Sequence, residues 1–475
     1  MKNFLLFAAR HAAARGCFAL ALSAPAFAQF ATPPAGTSAP SGAAQPAPQL
    51  QSSPALAAPL SSPPPASMFS FSAPPAPAAP GAQRFTLEEL IGLAERDHPG
   101  LQAARAQSLA ARAGVTTARA YPNPEVDYSG GNYRAREAGA ATGYGGTFSV
   151  TQRIENPALR SARVDAANAG VRGAEIDIEG TRNELVARIK SQYFEVLRRE
   201  EEVAASTEDL ALTEQIRERV RVRTASGEGA RFDLLRADTE VGMAQKERAR
   251  AQARLGQSRA QLQSAVAARL PEGFVLSGDF YRLLPNANYM ALRDSVLASN
   301  PGLRRALADT ARAETLLEVE KQSVMPSVAL QISQERQPDT VATKAGIALA
   351  IPLWDRRRGA IDQANAQILR SRSEAELRRI ELVQGFEAAW QQYQAAYQSV
   401  QALEGGILEQ ARKVVEIAEA AYRYGERGIL EYLDARRQYR AARNELIAAR
   451  FDLHAAKAEL ERLAAADFRE TRMER

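Results

Sequence analysis

"LAERDHPGL" at residues 93–101 and "LASNPGL" at residues 297–303 end on the same Pro-Gly-Leu, 202 positions apart. The offset recurs where Pro124-Glu125-Val126 meets Pro326-Ser327-Val328. It drifts to 197 between Ile189 and Phe386, and to 198 between "GEGARFDLLRA" (227–237) and "GERGILEYLDA" (425–435). Small drifts of this kind are what loop insertions leave in a duplicated unit. The Pro-Gly-Leu motif is then punctuation. It closes one helix and opens the next, with Pro99 or Pro301 where a missing N–H does little harm.

Proline marks out the rest of each unit. None occurs from Ala158 to Leu270, nor from Leu353 to Arg475. An interior proline costs a helix about 3 kcal/mol, so these are stretches where long helices can lie. Apolar residues step by seven along them: Ile189, Val196, Val203, Leu210; then Phe386, Tyr393, Val400, Ile407, Val414. Leu234, Val241, Leu255, Leu262 match Tyr432, Tyr439, Leu446, Leu453, Leu460. One such row fits an ordinary bundle helix, but four rows in two matching pairs point to coiled coils. Helices over about 160–224, 230–270, 303–324 and 430–466 are expected. The second and third would stack end to end beside the first, and 430–466 on 101–120.

Between the helical stretches, apolar and polar residues alternate. Val126 and Tyr128 do so, as do Phe148 and Val150 after a Gly/Ala-rich turn at 137–146. In the second copy the alternating residues are Val328, Leu330, Ile332 and then Ile347, Leu349, Ile351. Period two predicts four strands of roughly 9–11 residues, the length a tilted membrane-spanning strand needs. Taken alone, the strands fit a soluble hairpin packed on the helices better. If they do enter a bilayer, four strands cannot close a barrel, so several chains must each contribute theirs.

The flanks read differently. Lys2, Arg10 and Arg15 precede the uncharged run Cys17–Ala28, which ends in Ala-Phe-Ala. Residues 1–28 therefore read as an export signal, with Gln29 as the mature start. Losing those three basic residues lowers the net charge from +5 to +2, which gives no argument for nucleic-acid binding. Cys17 is the only cysteine, so the mature chain has no thiol or disulfide chemistry. Residues 29–83 hold fourteen of the 25 prolines and read as an extended linker. The remainder divides into a first repeat, 84–284, a second, 285–467, and a tail, 468–475.

From Phe85 to about Asp467 the chain resembles the TolC-like outer-membrane efflux proteins. The resemblance rests on the two helix-entry motifs, "YPNPEV" (121–126), "IPLWDRRRGAIDQANAQ" (351–367) and the two glycine-bounded turns. "PNPE" and the strand exits look closest to the heavy-metal-efflux branch. "TQRIENPALRSAR" (151–163) departs from that branch, which usually carries a glycine-lysine-arginine turn there. The resemblance implies a mainly α fold with a small β part. It implies a homotrimer with a twelve-stranded barrel in outer-membrane lipid and a helical tunnel in the periplasm. It further implies a passive exit duct served by a periplasmic adaptor and an inner-membrane, proton-driven pump.

No catalytic or metal constellation is legible. After the signal, His98 and His454 are the only histidines, at unrelated helix positions, and no phosphate loop occurs. No cofactor is expected, and the chain reads as no enzyme. "GGILEQ" (405–410) reads as a bend in a long helix. The resemblance places constricting carboxylates on Glu431 and Asp434, and gate-locking contacts on Tyr422, Arg427 and Asp233. All five could equally be solvated charges and helix-start residues. A periplasmic coiled-coil scaffold and a protein-secretion duct are the competing readings.

Overall fold

The computed structural model describes residues 83–466, apart from 135, 137, 138, 140, 228, 272 and 282–287. The export signal, residues 29–82 of the linker, the tail and the repeat boundary at 284/285 lie outside the described residues.

Two copies of one plan follow each other. The first runs β1 (Arg84–Phe85), α1 (Leu87–Asp97), α2 (Pro99–Arg119), β2 (Glu125–Tyr133), β3 (Gly143–Ile154), α3 (Pro157–Ala225) and α4 (Arg231–Val266). The second runs β4 (Val275–Leu276), α5 (Tyr289–Ser299), α6 (Pro301–Gln322), β5 (Ser327–Arg336), β6 (Val341–Ala350) and α7 (Arg358–Ala402). A π-helical turn (Leu403–Ile407) then leads into α8 (Leu408–Arg423) and α9 (Ile429–Ala464).

The punctuation works as chemistry. His98 Nδ1 accepts the Gly100 N–H at 3.1 Å, capping α2, and Pro99 takes the first helical position. Asn300 does the same for α6, with Oδ1 accepting the Leu303 N–H at 3.1 Å. The duplication extends to burial: Leu90, Ile189, Tyr193 and Leu262 are matched by Leu292, Phe386, Trp390 and Leu460, all buried. The long hairpins turn at Gly227 and Gly425, with φ of 81° and 76°, where a side chain would be strained. They close at Ala267 and Ala465, both left-handed. This is why α4 stops at Val266, short of the expected 270.

With 69 residues, α3 is about 100 Å long. Its neighbours differ from the expectation. Both α6 and α9 pack against α3 and α7, filling the groove between the two long helices. Meanwhile α2 and α4 pack on α3 without packing along α7. The end-to-end pair is therefore α9 with α6, joined where Asn300 Nδ2 donates to Leu463 O at 3.0 Å. The expected stacking of α4 on α6 and of α9 on α2 is wrong. A tight turn makes α4 antiparallel to α3 but leaves the flank it occupies undetermined, and the second copy's short helices take the inner groove.

The heptad row also breaks. Phe386, Tyr393 and Val400 are buried, but Ile407 and Val414 are each 48% exposed. Beyond the π turn, Leu408, Val415 and Tyr422 pack inward instead. One extra residue in a turn slips the inward face by one position. Gly405 and Gly406 thus mark this insertion, where a simple bend was expected.

The four longer strands form one antiparallel sheet, ordered β2-β3-β5-β6. Its register sets Val126 opposite Val150, Val150 opposite Ile332, and Leu330 opposite Ile347. One face is therefore apolar and the other carries Asp127, Ser149, Gln331 and Lys344. Tyr128, Phe148, Ile332 and Ile347 stay exposed on the apolar face. Strand β3 starts at Gly143, inside the expected turn, and Ile351 falls just past β6. Among the described residues, the outer edges of β2 and β6 have no partner. No described helix is long and apolar enough to cross a membrane.

Candidate functional site: the hairpin tip

The two long hairpins turn at the same end. There Ile216 and Val220 of α3, Ala237 of α4, and Ile429, Tyr432 and Leu433 of α9 form a small core, with Val415, Ala418 and Tyr422 of α8 against it. Tyr422 stacks on Tyr432, with ring centroids 6.0 Å apart, and the Arg223 guanidinium lies 5.2 Å from the Tyr422 ring centre. Burial raises the Tyr432 phenol pKa.

Ion pairs tie the α8–α9 hairpin to α3. Arg219 donates to Glu419 at 3.1 Å, and Glu419 also accepts Arg423 at 2.7 Å. Partial burial pushes the Glu419 pKa up, but these arginines outweigh it and hold it below the usual range. Higher on the hairpin, the largely buried Asp209 accepts Arg436 at 3.3 Å and Arg440 at 3.0 Å, and Arg443 reaches Glu208 at 2.5 Å. Sequence reading misses this ladder. The partners that cross between helices stand two hundred or more positions apart, and no local spacing announces such pairs.

The five expected site residues divide. Arg427, Glu431 and Asp434 line one open groove of about 600 Å³ between α8 and α9, walled by Val414, Ile417 and Leu430. Arg427 pairs with Glu431 at 2.6 Å, and this hydrogen bond raises the arginine's pKa. Asp434 accepts from Arg437 and Gln438, each at 3.3 Å. Tyr422 lies behind the groove, in the tip core. Asp233 sits in the first turn of α4, and its backbone N–H donates to Ala230 O at 3.0 Å. A single chain thus brings together three of the five. Among the described residues, no group of three or more His, Cys, Asp or Glu could hold a metal ion.

A groove with carboxylates on apolar walls can repel or attract ions, and it can pack against another helix. Comparison with known proteins narrows the choice. The family described as "Outer membrane efflux protein" matches residues 90–268 and 292–466. The cobalt-zinc-cadmium resistance protein CzcC of Cupriavidus metallidurans is 25% identical over 354 residues, covering 74% of this chain and 83% of that one. The nickel-cobalt-cadmium resistance protein NccC of Alcaligenes xylosoxydans xylosoxydans is 24% identical, covering 60% of this chain and 64% of its own. The CmeC outer membrane channel of Campylobacter jejuni shares the fold at a TM-score of 0.67 and 16% identity, covering 80% of this chain and 85% of that one.

Proposed function

This chain belongs to the outer membrane efflux protein family, and we propose that it is one subunit of a trimeric exit duct in a tripartite efflux system. The observation that carries the reading is the sheet: four strands, one apolar face, both edges unpartnered among the described residues, beside a helix about 100 Å long. Open edges are not tolerated in lipid, so the strands must pair with those of other copies. Two copies would give eight strands, a barrel whose interior side chains fill. Three give twelve and leave a passage. The flanks support the same reading: Leu109 and Leu235 on the α2/α4 side and Leu369 and Leu377 on α7 are all exposed.

In this assembly the barrel sits in the outer membrane and the helices line a periplasmic tunnel. The two halves are the repeats 84–284 and 285–467, behind a cleaved signal and a linker. The relatives' names favour divalent transition-metal cations as cargo. A proton-driven inner-membrane pump supplies the energy and a periplasmic adaptor bridges the gap. At the tip, the threefold axis gathers three copies of Glu431 and Asp434 into an acidic constriction. Arg427 is positioned to hold Glu431 in place, and Tyr422 and Asp233 act from the hairpins behind it.

The test is conductance across a planar bilayer. Purified protein should form channels blocked by divalent cations, and Glu431→Ala combined with Asp434→Ala should weaken that block about tenfold or more. Absence of any conductance overturns the duct. Unchanged block in the double variant removes these two carboxylates from the constriction.

A further inference from the structure

Each strand joins its helix at the same end of the sheet, and there the chain leaves large side chains uncovered. Trp354 is 94% exposed, Tyr121 69% and Leu353 60%. Ile351 lies just past the end of β6, where the chain turns, with the Leu353 N–H donating to Ile351 O at 3.0 Å.

Arginines crowd the same junctions, and three nearby glutamates are already paired with other arginines. Glu125 pairs with Arg153 at 3.0 Å, Glu155 with Arg163 at 2.5 Å, and Glu320 with Arg357 at 3.0 Å. Asp355 accepts the Arg357 backbone N–H at 2.8 Å. Arg160 spends its donors on Arg119 O and Tyr121 Oη, and its guanidinium lies 4.1 Å from the Tyr121 ring centre. Arg119, Arg160, Arg356 and Arg358 therefore meet no carboxylate among the described residues. The rim holds a cationic surplus beside a tryptophan and a tyrosine.

That combination has a matching partner in chemistry. Indole and phenol rings favour the boundary between hydrocarbon and water, where one end is apolar and the other wet. Guanidinium groups bind phosphate oxygens two at a time. Basic side chains near a bilayer gain attraction when the leaflet carries anionic lipid. The rim also adjoins the apolar sheet face, so a membrane reaching that face reaches the arginines as well.

We propose that the strand–helix junction is a headgroup site that selects anionic phospholipid in the leaflet facing the helices, with Arg356 and Arg358 on the phosphate and Trp354 at the interface. The proposal rests on the outer-membrane reading above. It adds that this rim discriminates between lipids by charge.

The chain has only two tryptophans, and Trp390 is buried at 7% exposure, so Trp390→Phe leaves Trp354 as the sole indole. This variant is reconstituted into vesicles of phosphatidylethanolamine with a minority of phosphatidylglycerol, bromine being carried on the acyl chains of one lipid or the other. Quenching of Trp354 should be about fivefold stronger per mole of brominated phosphatidylglycerol. Adding Arg356→Gln and Arg358→Gln should bring the two lipids level while Trp354 remains quenched. Equal quenching in the parent overturns the proposal, as does an indole that neither lipid reaches, which would place a second copy over it. Should the Trp390 variant fail to fold, native mass spectrometry of the unmodified protein decides instead: preferential retention of phosphatidylglycerol supports the site, and equal retention overturns it. Conductance in the same vesicles separates the two readings. Channels without lipid preference overturn only the rim, whereas no channels at all overturn the duct.

Discussion

His98 and Asn300 occupy the same place in the two repeats, but Asn300 does more. Its amide caps α6 and also reaches α9, and it is buried where His98 is partly exposed. Asn300→Ala should cost about 2–3 kcal/mol, because a helix N–H and the Leu463 carbonyl both lose their partner out of reach of water. His98→Ala should cost about 1 kcal/mol or less. Urea denaturation of the two variants checks the ranking. His454 offers a second test. Its ring stacks on Phe194 at 3.9 Å and its Nε2 lies 3.2 Å from Phe280 O, and burial pushes its pKa down to about 4 from 6.5. The folded state therefore resists protonation more than the unfolded chain does. Stability from the neutral ring is full above pH 6.5 and is lost as pH falls towards 4, by about 3 kcal/mol at most. Thermal melts of the parent and of His454→Gln should show a flatter dependence in the variant across that window. Helix starts such as Pro99 and Pro301 are legible in the sequence because a proline restricts its own backbone. The partners of Asp209 and Asn300 are not, since only the folded chain brings them close.

The long helices show how far a repeat pattern reaches. The step of seven runs from Phe386 to Val400 and then fails, because the π turn adds a residue that composition alone does not reveal. Deleting Gly406 should restore a regular helix and leave α8 in place, because it removes the one residue that the π turn absorbs. Leu408, Val415 and Tyr422 would then continue the step of seven from Val400 and stay packed. The expected result is a tip that resists limited proteolysis as well as the parent's does, whereas a newly cut tip would show that the π turn itself is needed. By contrast, Gly405→Ala should add about 1 kcal/mol of stability, since a methyl group there meets nothing within 4 Å. The strands are legible nearly to their bounds, because a single alternation fixes which residues share a face. The stacking of the short helices is not. Chain order favours sequence neighbours, whereas the groove between α3 and α7 is filled by helices of the second copy.

For the whole molecule, the prediction concerns which face of the sheet meets lipid. Leu330 lies on the apolar face and Gln331 on the other. Leu330→Arg should cost about 2–4 kcal/mol per chain near the bilayer midplane, and Gln331→Arg far less. Outer-membrane fractionation should show the first variant depleted from the membrane and the second present. The two-fold repeat and the sheet can be foreseen from one chain. The number of copies rests on geometry beyond any single chain.

The two unpaired strand edges have a consequence for biogenesis. A freshly exported subunit carries raw backbone donors and acceptors along β2 and β6, ready to zip onto any extended peptide it meets. Its most dangerous moment comes before assembly, in the compartment it must cross. Yield should then depend on holding factors that shield those edges and on the rate at which copies encounter one another. Overproduction would fill the periplasm with misjoined sheets before it filled the membrane with ducts.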